Sequence, residues 1–302
     1  MKDLFEYVVG KASAEFVALR DEPRNAQMKK LAQEMWQKFA TWADPNFPEQ
    51  FSQHVHPRFW EMYLGVCLLE NNFQLVPKKS SDGPDYHILL NGKNLWIEAT
   101  APEAGSGNDA VPSIFEHDKF HPVPEDKIIL RFTNAIAEKL KKREEYLKKR
   151  IIDANDAYVI ALNGVGIQMT LFEGPMPAII KSVYPAGDYS VTIDVNTLKP
   201  VREGYQIWSE IIKVSGSSVR TDAFLDPNYC GISGILYSSA ALWDIPTIPG
   251  CEFLYIDNSI ANIHLDPEWL GIGKYCYKEE NHLMGKSSKH WTNSSIAIYV
   301  QE

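Results

Sequence analysis

Apolar residues recur at three- and four-residue spacing through FEYVVGKASAEFVALR and NAQMKKLAQEMWQKFATWA. That period predicts that residues 1–50 are helical, and Pro45 and Pro48 are expected to end the region. The run FWEMYLGVCLLENN is apolar almost all round and predicts a second, buried helix from about Pro57 to Asn71. Pro57 suits its first turn. Two short runs follow, PDYHILLN and KNLWIEAT, joined at Asn91-Gly92. Asn-Gly between apolar runs signals a hairpin, because both turn positions need positive φ. Residues 101–124 are rich in Pro, Gly, Ala and Asp and read as a long loop. Residues 125–150 form a long charged helix, and AYVIALNG (157–164) is a buried strand by its unbroken apolar run. The order over 57–164 is read as α, β, β, β, α, β. Beyond it, YSVTIDV, GISGILYSS and CEFLYIDN stand out as strands between Gly/Pro turns. The expected fold class is α/β, an α+β arrangement with a mixed sheet. Its parts are an N-terminal helical segment (1–56), a core (57–164) and a β-rich C-terminal extension (165–302) packed on the same domain.

The hairpin carries the candidate chemistry. With Asn91-Gly92 as a two-residue loop, Leu90 faces Lys93 and each step outward pairs positions summing to 183. Asp85 then lies opposite Glu98, with Cβ atoms about 5 Å apart. Two carboxylates so placed repel and need compensation. A divalent cation supplies it, since hard cations take carboxylate oxygens; a shared proton or a basic partner is the alternative. A one-residue slip of register sends the two to opposite faces. Alternation puts His87, Trp96 and Thr100 on the face of the pair. Tyr86, Ile88, Leu90, Leu95, Ile97 and Ala99 form the other, which is apolar throughout and expected to be core. Glu61 shares a helical stripe with Leu64 and Leu68, so it is expected to be partly buried and to need a metal or a basic partner such as Arg58. Glu70 points the other way, toward water. His87 is a weaker ligand candidate than a hydrogen-bonded, half-buried histidine.

A helix with Glu61, a hairpin with Pro84-Asp85, a strand with Glu98-Ala99-Thr100, then a helix and a strand, resembles the PD-(D/E)xK nuclease superfamily. The runs RFWEMYL, GPDYHI and WIEATAP are also similar to those of uncharacterised bacterial proteins of this fold. The resemblance covers residues 57–164 and implies a restriction-endonuclease-like core. It also implies a divalent-metal-dependent nuclease with Mg²⁺ or Mn²⁺ held by Glu61, Asp85 and Glu98. The superfamily's lysine position is Thr100 here, and Thr cannot balance transition-state charge as a cation. Some members take that cation from the following helix. In this sequence Lys139 falls within the apolar stripe Ile128, Phe132, Ala135, Ile136, Leu140, Leu147 and is the first candidate, with Arg143 four residues on. Arg131, at the stripe's edge, is the second. Lys78 and Lys79 come third. The Thr also leaves open a catalytically inactive module of the same fold that binds nucleic acid or protein. Paired carboxylates can equally serve acid/base work on a small molecule in an unrelated enzyme.

Composition narrows this picture little. The chain has 302 residues, 45% hydrophobic and 23% charged, ordinary values for a folded protein. Its formal net charge of −9 excludes non-specific coating of nucleic acid, but not a locally basic groove. Nucleic acid is the expected partner. The tract KLKKREEYLKKR is either a phosphate-binding face or a solvated helix face with Glu/Lys pairs. No run of about 18 apolar residues predicts a membrane span. The opening MKDLFEYVVGKASAEF lacks the layout of a secretory signal, so a cytoplasmic location is expected. Cys67, Cys230, Cys251 and Cys276 are scattered, which suits reduced thiols. The glycines of GVG (164–166) read as a turn, and no phosphate-cradling loop or GxSxG motif occurs. Trp208, Trp243, Trp269 and Trp291 are expected in the core.

Overall fold

A computed structural model describes residues 3–6, 10–78, 82–114, 122–174 and 176–288, together with the backbone of 296–299. The N-terminal part holds α1 (Ala14–Asp21), α2 (Ala26–Phe39), α3 (Phe47–Gln53) and α4 (Val55–Glu70). Ser13 starts α1 by accepting a hydrogen bond from the Phe16 amide, an N-cap interaction. Pro48 does not end a helix. It occupies the first turn of α3, where its missing N–H costs nothing. Residues 1–50 are therefore several short helices, and residues 1, 2 and 7–9 of the expected helical region lie outside the described residues.

The hairpin is β1 (Tyr86–Leu90) and β2 (Lys93–Thr100), paired Tyr86 with Ile97 through Leu90 with Lys93. Asn91 and Gly92 have φ of 52° and 77°, so the turn twists with its strands and locks the register the sequence predicts. Next come α5 (Glu125–Lys148) and β3 (Ala157–Asn163). Between α4 and α5 the described residues hold two strands where three were expected. The third is reduced to one bridge, Leu75 with Ile88, flanked by the Val76 amide donating to the His87 carbonyl.

The rest of the chain contains α6 (Ala178–Lys181), β4 (Ala186–Ile193), β5 (Pro200–Ile207), β6 (Glu210–Ile212) and β7 (Ser218–Arg220). It ends with β8 (Gly234–Ser238), β9 (Leu254–Asp257), β10 (Lys274–Glu279), β11 (His282–Ser287) and β12 (Ile296–Tyr299). Eight strands form one mixed sheet in the order β1-β2-β3-β8-β9-β10-β11-β12. Strands β2, β3 and β8 are parallel, while β1, β9 and β11 run antiparallel to a neighbour. Strands from both sides of residue 164 thus share one sheet. The β4–β5 and β6–β7 hairpins stand apart from it.

The sheet has helices on both faces. Every residue of β3 is buried, because its side chains alternate between two cores. Ala157, Val159 and Ala161 join α1–α4 together with Tyr86, Ile88, Leu95 and Ile97. Tyr158, Ile160 and Leu162 join the apolar stripe of α5. The hairpin's apolar face is core, as its alternation requires. Trp269 packs on Phe73 and Tyr255, but Trp243 departs from expectation: it is 56% exposed. Trp291 lies outside the described residues. All four cysteines are free, with Cys67 and Cys276 buried. Among the described residues no helix is long and apolar enough to cross a membrane.

Candidate active site

Helix α4 is pinned to the sheet at two neighbouring residues. The Trp60 indole N–H donates to the Ala161 carbonyl of β3 at 3.0 Å, and the Tyr86 hydroxyl donates to the Glu61 carbonyl. These contacts turn the Glu61 side chain toward the start of β1 and the end of β2. The register places Asp85, one residue before β1, beside Glu98. All three carboxylates line a single cavity of about 240 Å³. Arg58, Lys139 and Lys142 share its wall, as does Thr100. No family model, curated protein or solved structure matches this chain. Its chemistry is therefore argued from these residues alone.

Each carboxylate already has a partner. Asp85 Oδ2 accepts from the Ala99 amide at 2.7 Å, and Oδ1 lies 3.7 Å from Lys78 Nζ. Lys78 also lies 3.4 Å from Asp44. Lys79 lies outside the described residues. Glu98 Oε1 accepts from Lys139 at 2.9 Å and Lys142 at 2.6 Å, while the Tyr146 hydroxyl lies 3.2 Å from Oε2. Arg58 Nη1 donates to Glu61 Oε2. The basic partner weighed for Glu61 is thus present alongside the shared cavity.

Burial and mutual repulsion set the protonation of this cluster. Burial raises the Glu61 carboxyl to about 8, with Asp85 adding to the effect and Arg58 and Lys78 opposing it. Burial and then Asp85 also raise Glu98, against the pull of Lys139 and Lys142. The Lys142 ammonium is raised too: burial works against it, and the Glu98 charge and hydrogen bond outweigh that. The two short contacts to a single oxygen favour the charged form of Glu98.

Two sequence expectations need correction. Arg131 is not brought to the cavity. It lies two turns up α5, and its Nε donates to the Glu103 carbonyl at 2.9 Å, with the guanidinium over Gly105. It ties down the loop after β2 instead of facing the carboxylates. The second cation on Glu98 is Lys142, which the stripe argument passed over because it sits off the apolar face and is 45% exposed. Its signal was spacing: it follows Lys139 by three residues, so both reach one point. Arg143 is buried against Gly231 and the Tyr158 ring. His87 is no ligand in this arrangement; its Nε2 is 2.9 Å from Asn94 Oδ1 and its ring stacks on Trp96 at 4.0 Å. The rest of KLKKREEYLKKR is mainly a solvated helix face.

The donor chemistry suits a hard divalent cation, since it offers only carboxylate oxygens. As the side chains stand, no three acidic, His or Cys groups among the described residues converge on one metal position. Lys139 and Lys142 already bond Glu98 Oε1, so a cation bound through that oxygen would compete with them.

Proposed function

We propose that the cavity hydrolyses phosphodiester bonds with the aid of Mg²⁺ or Mn²⁺, on a core of the PD-(D/E)xK, restriction-endonuclease-like type. One observation carries this reading: Glu61 of α4, Asp85 just before β1 and Glu98 of β2 line one cavity with three cations. Asp85 and Glu98 would hold the metal, with Glu61 as a third ligand, and the ion would supply charge to polarise the phosphate and acidify water. Lys139 and Lys142, on the same wall, would balance the charge that grows on the phosphate oxygens. They supply the positive charge that Thr100 cannot. Arg58 holds Glu61 in place.

The test is incubation with plasmid, duplex and single-stranded DNA and with RNA, in Mg²⁺, Mn²⁺ or EDTA. Cleavage is expected only with metal, and Asp85→Asn is expected to slow it by about tenfold or more, as losses around a metal site do. Absence of cleavage in every metal sinks the reading. A second reading has its own support. Glu98 is already neutralised by two lysines, as suits a catalytically inactive module of this fold that binds nucleic acid or protein.

Protonation supplies another measurable consequence. The Glu61 carboxyl, raised by burial, must lose its proton before it binds metal. Mn²⁺ affinity by calorimetry is expected to rise between pH 6 and 8, on the order of tenfold per unit for one coupled proton. Stability without metal runs the other way. A carboxyl raised from 4.5 to about 8 favours the fold fully below pH 4.5, and that contribution is lost as pH climbs through 8. Mn²⁺ should therefore raise Tm more at pH 8 than at pH 6. An equal effect at both values would count against Glu61 as a ligand.

A further inference from the structure

A second, larger cavity of about 570 Å³ opens beside the acidic one. It lies beyond the carboxyl ends of the parallel strands β2, β3 and β8, where open α/β sheets hold their ligands. Two stretches of chain join the cavities. His56 lines the larger one and is followed by Pro57 and Arg58, which line the acidic one. Ala101 lines the acidic one and Glu103 the larger.

The walls are held in place from several sides. Arg131 fixes the Glu103 carbonyl. The Ser113 hydroxyl donates to Gln168 Oε1 at 3.4 Å, tying the loop after β2 to a single 3-10 turn (Gln168–Phe172) after β3. Gly166 lets these loops approach, because a Cβ there would lie 2.6 Å from the Pro102 carbonyl.

The lining is chemically unlike the acidic cavity. It contains no Lys or Arg among the described residues. Burial holds the His56 imidazole down to about 4, so it is neutral near pH 7. Residues in its lining with hydrogen-bonding side chains include His56, Glu103, Ser113 and Gln168, beside Val111 and Trp243. Trp243 lines this cavity while leaving more than half its surface open to water, so its ring is accessible to a ligand. This cavity offers no cation to a phosphate. It offers an aromatic ring and hydrogen-bonding side chains, the acidic Glu103 among them, of the kinds that stack on a nucleobase and bond its edge.

We infer that this cavity receives one unpaired nucleobase of a single-stranded nucleic acid, stacked on Trp243, next to the phosphate held over the acidic cavity. The inference rests on the proposed phosphodiester chemistry and names its substrate class. A base inside a duplex is stacked and paired, so it must be flipped out or already single-stranded to enter. The net charge of −9 limits phosphate-driven affinity, which leaves base contact to supply it.

The test is fluorescence anisotropy of a fluorescein-labelled single-stranded 12-mer and its duplex, in Ca²⁺, followed by cleavage of both in Mn²⁺. Wild type is expected to bind the single strand at least tenfold tighter than the duplex. Trp243→Ala should weaken single-strand binding about 5- to 100-fold, the loss expected of one base stack, and leave the weak duplex binding unchanged. Trp243→Phe should restore most of it. Unchanged circular dichroism will show that the exposed position tolerates both changes. Equal binding of strand and duplex, no binding of either, or indifference to Trp243→Ala overturns the inference. Binding through Trp243 without cleavage upholds the base site and sinks the hydrolysis. Cleavage indifferent to Trp243 does the reverse.

Discussion

Glu98→Gln is expected to lower metal-dependent cleavage by at least about 100-fold, because loss of partners outside the ligand shell alone costs 10–100-fold. The substitution keeps the size of the side chain and its capacity to accept hydrogen bonds. It removes the negative charge that faces Lys139 and Lys142 and that would bind a metal, and puts an amide NH2 in place of one carboxylate oxygen. The initial rate in Mn²⁺, with product resolved on a gel, measures the loss. The fold is also affected. Removing one partner of a buried ion pair costs about 3–5 kcal/mol. Here Lys142 is 45% exposed and Lys139 19%, so water takes up part of their charge. About 1–3 kcal/mol is expected, read from urea unfolding. A variant that cleaves at the wild-type rate shows that Glu98 is a structural ion-pair partner and no more.

The largest loss of stability is expected at Trp60. Its ring is fully buried between α4 and the sheet, edge-on to Phe253 with centroids 6.0 Å apart. Trp60→Ala removes that packing and leaves the Ala161 carbonyl without its indole donor. Large-to-small changes of this kind cost about 3–5 kcal/mol. In a protein of this size that lowers Tm by roughly 6–20 °C, at about 2–4 °C per kcal/mol. Trp60→Phe keeps much of the packing and should cost less than half as much. Trp60 precedes Glu61, so the Phe variant should also loosen the placement of that carboxylate. Mn²⁺ affinity is expected to fall with stability across the two variants. If stability falls and affinity does not, α4 does not position the site.

The Asn91-Gly92 turn shows how much a short stretch can decide. Its two positive φ angles come from residue identity, and they set the register in which Asp85 neighbours Glu98. Alternation along β1 and β2 then sorts core from polar face, since successive side chains leave a strand on opposite sides. The burial of Glu61 and the reach of Lys139 are legible for the same reason: helical period is a local property. Lys142 is where that property stops helping. A half-exposed lysine looks solvated from its own helix, and only the neighbouring strand shows that Glu98 lies within reach.

Local order, then, determined the hairpin, the helical faces and the residue types available to the cavity. Tertiary structure decided what each residue meets. Residues far apart in sequence set β3 beside β8 and joined β8–β12 to the sheet that holds the acidic residues. Packing of the loops sent Arg131 to a backbone carbonyl instead of the carboxylates. It also left Trp243 at the rim of a cavity although its composition suggested core. The physical reason is common to these cases. Turn geometry and side-chain period act within a few residues, whereas burial and partner choice depend on surfaces brought together only when the whole sheet closes.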